Sequence, residues 1–306
     1  MPQRMLTLVV PCLNEADGIG PFLSRCAEVE LACPAYQFDY LFVDDGSTDA
    51  TWEQITRLAA ENARVRGLRL ARNYGQQRAI SAGLDACDAD AVAILDADLQ
   101  DPPELLKEML AAFEAGADVV HAVRVDRESD AAFKRLSAKL FYAVMRRWVL
   151  PSLPENAGDF KLISRRALEA YRAYGERVRF LRGIFATLGF QQATVRYTRP
   201  ARTTGHSKYP LRRMLRLARD AVFSNTALPL RWCTYSGCIA LALWPVVVVS
   251  VALRAPSTIA FLLLAQWLFS ALLLMGVGLA GEYFKIIVLE VKSRPLYLVR
   301  DSINLK

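Results

Sequence analysis

Histidine is nearly missing from this sequence, with two in 306 residues, and the six cysteines Cys12, Cys26, Cys33, Cys87, Cys233 and Cys238 form no CxxC pair. Neither a zinc site nor a disulfide framework can be assembled from that set, so the cysteines read as reduced thiols of a cytoplasmic chain. A glycine-rich phosphate loop is also lacking. Gly18-Ile19-Gly20 has no third glycine at the spacing of a dinucleotide fingerprint, which disfavours a nicotinamide-type Rossmann domain. The first apolar run, Met5–Val10, is too short for a signal-peptide core and ends in Pro11, so it reads as a buried strand.

Charge is missing from two long stretches, Cys233–Leu253 and Thr258–Gly281. Each can span a hydrocarbon core of roughly 30 Å at about 1.5 Å per residue. They account for the positive mean hydropathy of +0.18. Only Arg254-Ala255-Pro256-Ser257 separates them, which predicts a hairpin of two transmembrane helices. Arg212, Arg213, Arg216, Arg219 and Arg231 precede it, and Lys285, Lys292, Arg294 and Arg300 follow. By the positive-inside rule both flanks are cytoplasmic. The formal charge of +7 therefore points to an anionic membrane surface and phosphorylated ligands, and away from nucleic acid, because the basic residues track the apolar segments.

The remaining two thirds alternate between strand and helix. Strands are expected at Leu6–Val10, Tyr40–Val43, Val65–Leu70, Ala91–Leu95 and Asp118–Val123. Helices are expected at about Ile19–Leu31, Thr51–Asn62 (capped by Thr48 or Asp49) and Gln76–Ala86, with another opened by Pro102-Pro103-Glu104. The pattern predicts an α/β domain with a mainly parallel sheet, whose ligands sit beyond the C-terminal strand ends. Phe133–Leu150 and Leu211–Val222 are amphipathic and basic; the first reads either as a surface helix packed on the core or as an interfacial helix, and the second, directly before an apolar segment, as an interfacial helix.

Acidic clusters fall at the predicted strand ends. Asp96-Ala97-Asp98-Leu99-Gln100 offers two carboxylates on one turn, suited to a hard cation such as Mg²⁺ or Mn²⁺ shared with phosphates. In Asp44-Asp45-Gly46-Ser47, Gly46 makes the turn and Asp44 is left for a base or ribose. In Pro11-Cys12-Leu13-Asn14-Glu15, Asn14 and Glu15 either accept hydrogen bonds from a nucleoside or start a helix.

Together these motifs resemble the GT-A (Rossmann-like) fold of family-two glycosyltransferases. The segments Ala71–Gln76 (ARNYGQ), Asp96–Pro103 (DADLQDPP), Gly158-Asp159-Phe160, Arg179–Gly183 (RFLRG), Arg202–Tyr209 (RTTGHSKY) and Gly281-Glu282-Tyr283 are similar to the polyprenyl-phosphate glycosyltransferases, over nearly the whole chain. That resemblance implies transfer of a sugar from a nucleotide-sugar, UDP-linked, to a polyprenyl phosphate such as undecaprenyl phosphate, with inversion. It implies nucleotide-sugar binding by Pro11, Leu13, Glu15, Asp44, Asp96, Ala97, Gln100 and Arg124, and closure over the donor by Arg202 and Lys208. His206 departs from the Glu that the family often carries there. Asp96 and Asp98 would hold the metal, with Asp98 also in a catalytic role. The acceptor phosphate is largely ionised at neutral pH and needs only to be placed. Lys134, Arg135 and Ser137 are the candidates to hold it. Asp159 is the candidate for a sugar-orienting or basic residue, against a capping role before Lys161.

The expected layout is a cytoplasmic catalytic domain over 1–210, a juxtamembrane helix over 211–232, two transmembrane helices over 233–281 and a cytoplasmic tail over 282–306, integral to the inner membrane. Gly276, Gly278 and Gly281 would let helices approach closely, as in a homo-oligomer. Two other readings compete. A processive polysaccharide synthase should carry Gln-x-x-Arg-Trp, but Leu228 stands where Gln is needed before Arg231-Trp232. A non-catalytic membrane scaffold has no need of intact Asp96, Asp98, Arg202 and Lys208.

Overall fold

The computed structural model describes residues 3–125, 157–177, 179–198, 222–223, 226–252 and 258–305. Lys134, Arg135, Ser137, Arg202 and Lys208 lie outside the described residues. So do the amphipathic stretch Phe133–Leu150, nearly all of Leu211–Val222, and the loop Arg254–Ser257. The chain divides into two units, one made of Met1–Pro210 with Pro295–Lys306, the other of Leu211–Arg294.

The first unit is built on one sheet of eight strands. They are β1 (Arg4–Cys12), β2 (Tyr36–Asp44), β3 (Val65–Leu70), β4 (Ala91–Ile94), β5 (Val119–Arg124), β6 (Ala157–Ser164), β7 (Gln192–Tyr197) and β8 (Val299–Ile303), in the order β7-β5-β6-β4-β1-β2-β3-β8. Strands β4, β1, β2 and β3 run parallel. Their apolar runs are continuous because both faces of such a sheet are covered by helices. Leu6, Leu8, Val10 and Cys12 face one core with α1 (Ala16–Leu31), α2 (Thr51–Glu61) and α4 (Leu106–Glu114). Val9 faces the other, with α3 (Gln76–Ala86), α5 (Arg165–Ala173) and α6 (Leu181–Thr187). Helix α3 approaches β1 so closely that a Cβ on Gly83 would lie 2.4 Å from Val9 Cγ1.

The five expected strands and the helices over the first 114 residues are present, with ends shifted by a few residues. The N-cap position of α2 is Ala50, so neither Thr48 nor Asp49 caps the helix; Asp49, one residue earlier, accepts from the Thr51 N–H at Oδ1 at 3.1 Å and so braces the turn that enters it. β6, antiparallel to both β4 and β5, was not expected, nor were β7 and β8. The C-terminal residues differ from the expected tail. The last long helix continues to Val291, and β8 then joins the sheet antiparallel to β3. Leu298 O accepts from Ala71 N at 2.8 Å, and Asn304 Nδ2 donates to the carbonyls of Ala59 and Val65 at 2.9 Å each. An edge strand whose backbone groups would otherwise be unpaired is covered this way.

The second unit contains α7 (Leu228–Ala252) and α8 (Thr258–Val291). Among the described residues one helical stretch, Ala265–Val291, is long and apolar enough to cross a membrane, with mean hydropathy 1.8. Tyr283 Oη donates to Thr226 O at 2.7 Å, and its ring packs against Phe223.

Candidate active site

The C-terminal ends of β1, β2 and β4 bring three acidic turns together. Burial raises the Cys12 thiol at the end of β1, and the charges of Asp44, Glu15, Asp96 and Asp49 add to the effect. The turns therefore share one electrostatic neighbourhood.

The turn after β2 is fixed from both sides. Asp44 is fully buried; its Oδ1 accepts from Ser47 N at 2.8 Å. Its Oδ2 lies 3.3 Å from Arg69 Nε but has no hydrogen bond. Asp44 is thus not the free side chain expected at a strand end, although one oxygen retains acceptor capacity. Asp45 accepts from the N–H groups of Tyr74 and Gly75 at 2.7 and 2.8 Å, which ties this turn to the loop before α3. Between them Gly46 has φ +73°, and a Cβ there would lie 2.5 Å from Arg72 C. Only glycine fits that crossing.

The β1–α1 loop is stitched to the same turn. Asn14 N donates to Ser47 Oγ, Thr48 N donates to Asn14 Oδ1, and Glu15 N donates to Thr51 Oγ1. Asn14, with φ +55°, spends its side chain on Thr48 rather than facing a ligand. Pro11 is half-buried and Leu13 is exposed on the same loop.

After β4, Asp96 accepts a hydrogen bond at Oδ1 from Gln76 Nε2 at 2.8 Å. Ala97 is buried, and a Cβ on Gly18 would lie 3.3 Å from its carbonyl oxygen. Asp98 is exposed and accepts at Oδ1 from Gln100 N at 3.1 Å, a bond that closes the turn around Leu99, itself at φ +53°. A left-handed leucine is uncommon and costs about 1 kcal/mol or more, the sort of strain found at functional turns.

Two further acids are already neutralised. Arg182 meets Asp159 with Nε–Oδ1 at 2.9 Å and Nη2–Oδ2 at 3.1 Å, and Gln77 Nε2 adds a bond to Oδ2 at 3.3 Å. Asp159 lies inside β6, which removes the capping role. Burial alone would raise its carboxyl, but Arg182, Lys161 and Gln77 outweigh burial and hold it well below the usual carboxylate range. Such a group is a poor base. Lys161, buried two residues further along β6, donates from Nζ to Gly158 O at 2.7 Å, and burial lowers it to about 8.

Asp101 is held by Arg124, at 3.1 Å, and by Tyr197 Oη, at 2.5 Å, while Arg124 Nε also donates to Tyr197 at 2.9 Å. Arg124, expected beside the donor phosphates, is therefore committed to this buried triad, although its charge still reaches Asp96.

Asp101 and Asp159 each have an arginine. Among the described residues Asp96 and Asp98 have no ion-pair partner, and each has one oxygen tied within the chain and its Oδ2 without a hydrogen bond. Burial and the charges of Asp159, Asp98 and Asp101 raise the Asp96 carboxyl to about 7, with Arg124 opposing. Two unneutralised carboxylates in one acidic site fit a divalent cation. No group of three acidic, histidine or cysteine side chains surrounds a metal position among the described residues. The rest of the shell would come from phosphate oxygens and water, as is usual for Mg²⁺.

The sequence reading missed Gln76, Gln77, Asp101, Lys161, Arg182 and Tyr197. Gln76, Asp101 and Arg182 lie within segments singled out for their resemblance; Tyr197 and Lys161 carry no local signal.

A family model described as Glycosyl transferase family 2 matches residues 7–172. The chain is 35% identical over 303 residues to the SfII prophage-derived bactoprenol glucosyl transferase of Shigella flexneri, covering 97% of this chain and 98% of that one. It is 33% identical over 301 residues to the prophage bactoprenol glucosyl transferase homolog of Escherichia coli K12, covering 96% and 98%. Among solved structures, mannosyl-3-phosphoglycerate synthase from Rubrobacter xylanophilus shares the fold, with a TM-score of 0.50 at 20% identity over 75% of this chain and 74% of that one.

Proposed function

This chain belongs to glycosyl transferase family 2, and we propose that it transfers a sugar from a nucleotide-sugar, UDP-linked, to undecaprenyl phosphate or a similar polyprenyl phosphate, with inversion at the anomeric carbon. The observation that carries the reading is the pair Asp96 and Asp98, which among the described residues form no ion pair, where Asp101 and Asp159 each have an arginine. Near-full-length similarity to proteins named for bactoprenol glucosyl transfer supports the lipid acceptor.

A Mg²⁺ or Mn²⁺ ion held by Asp96 and Asp98 would neutralise charge growing on the departing nucleoside diphosphate. The chain's own residues do the rest. Pro11, Leu13, Glu15 and Asp44 border the nucleotide pocket, with Ala97 and Gln100 on its metal side and Arg202 and Lys208 closing over the donor. Lys134, Arg135 and Ser137 hold the acceptor phosphate. That phosphate arrives ionised, so no residue has to remove a proton from it. Asp159, locked to Arg182, orients the sugar. Arg124, paired with Asp101, contributes its positive field at Asp96 beside the donor phosphates.

The acceptor head group lies at a membrane surface, so the site must be held there. Apolar α7 and α8 serve as the anchor in the inner membrane, paired as a hairpin with the catalytic unit on the cytoplasmic side, and glycines on α8 suit packing between copies.

The test is transfer by the purified full-length protein with undecaprenyl phosphate, Mg²⁺ or Mn²⁺, and a panel of labelled UDP- and GDP-sugars. Label should enter the lipid phase and be lost in Asp98→Ala. Failure with every donor, while nucleotide still binds, would sink the proposed acceptor.

A further inference from the structure

We propose that Gln76 is a positioning residue for the divalent cation, an inference that rests on the assignment of that cation to Asp96 and Asp98. Gly75, with φ +96°, turns the chain into α3 so that Gln76 faces the end of β4. Its amide nitrogen donates to Asp96 Oδ1 at 2.8 Å. A donor on Oδ1 stabilises the charged form, fixes the side-chain rotamer and leaves Oδ2 for the cation. Groups that orient a ligand in this way typically contribute ~10–100-fold to metal affinity.

The next residue has a separate duty. Gln77 donates from Nε2 to Asp159 Oδ2 and accepts at Oε1 from Leu181 N, both at 3.3 Å. It therefore supports the Asp159–Arg182 pair, not the metal carboxylate. Two adjacent glutamines in one helical turn thus serve two different acids, and each is the control for the other.

The experiment measures Mn²⁺ affinity from the electron paramagnetic resonance of free Mn²⁺, with full-length protein in detergent and UDP present, and a parallel series with GDP. Gln76→Met should weaken Mn²⁺ by ~10–100-fold, while Gln77→Met should stay within about threefold of wild type. Raising Mn²⁺ should restore nucleotide binding by Gln76→Met to the wild-type level, a rescue that a misfolded variant could not show. The proposal fails if Gln76→Met binds Mn²⁺ as wild type does, if Gln77→Met loses as much, or if nucleotide binding is not restored at saturating Mn²⁺. If wild type itself binds no Mn²⁺ with either nucleotide, the metal assignment falls, and this inference with it.

Discussion

Arg182 grips Asp159 with two parallel contacts, Nε to Oδ1 and Nη2 to Oδ2, across 23 residues of sequence. The pairing settles what that carboxylate can do. Its folded-state pKa lies below the unfolded value, so its contribution to stability is fully present above about pH 4 and is lost as the pH falls further. Asp159→Asn would remove the charged half of this buried pair, at a cost of about 3 kcal/mol in a denaturant titration. Over the range where turnover is measured Asp159 does not titrate. The acid limb of the pH–rate profile should follow the acceptor phosphate, near 6, and be the same for Asp159→Glu as for wild type. A limb that moves with the substitution would restore Asp159 as a base.

His121 on β5 provides a pH dependence of the opposite chemical type. Burial, aided by the charge of Lys161 and opposed by Gln192, lowers it to about 3. Its Nδ1 is buried without a hydrogen bond. The neutral ring is the form the fold accepts. Stability is therefore complete above about pH 6.5 and falls below it, by up to ~1.4 kcal/mol per pH unit, until the folded value is reached. Unfolding midpoints at pH 7 and pH 5 should show this slope, and His121→Gln should flatten it.

Gly46→Ala places a methyl group against the backbone of Arg72 and Asn73 at a positive φ. The loop before α3 must then move, and Asp45 loses its hold on Tyr74 and Gly75. We expect a loss of at least about 2 kcal/mol in stability and weaker nucleotide binding, read by thermal unfolding and by nucleotide titration.

Asn304→Ala removes two donors from the carbonyls of Ala59 and Val65 and leaves alanine at a residue with φ +55°. A cost of about 2 kcal/mol is expected. Equal stability of the variant and wild type would mean that the end of β8 contributes nothing to the sheet.

Strands β1 to β5 were legible because their apolar runs stop abruptly at acids or turns. β6 was not, because Ala157–Ser164 places Asp159, Lys161 and Ser164 among its apolar residues, and their burial makes sense only beside Arg182, Gly158 O and Asp118. β8 reads as a polar tail, since Val299–Asp301 are exposed and its identity as a strand comes from β3. The site divides in the same way. The acids at strand ends are visible in the sequence; which of them is already neutralised is not, because Arg124, Tyr197 and Arg182 come from distant strands and helices.

The placement of β8 fixes a parity. A sheet joined by backbone hydrogen bonds stands on one side of a bilayer. The chain leaves the sheet unit after Pro210 and rejoins it at Pro295. Whatever Leu211–Arg294 does in a membrane, it must therefore cross an even number of times. If Ala265–Val291 crosses, a return crossing is obligatory, and α7 is the one other long apolar helix described in that unit. A strand of five residues thus sets the topology of a helix nearly seven times its length.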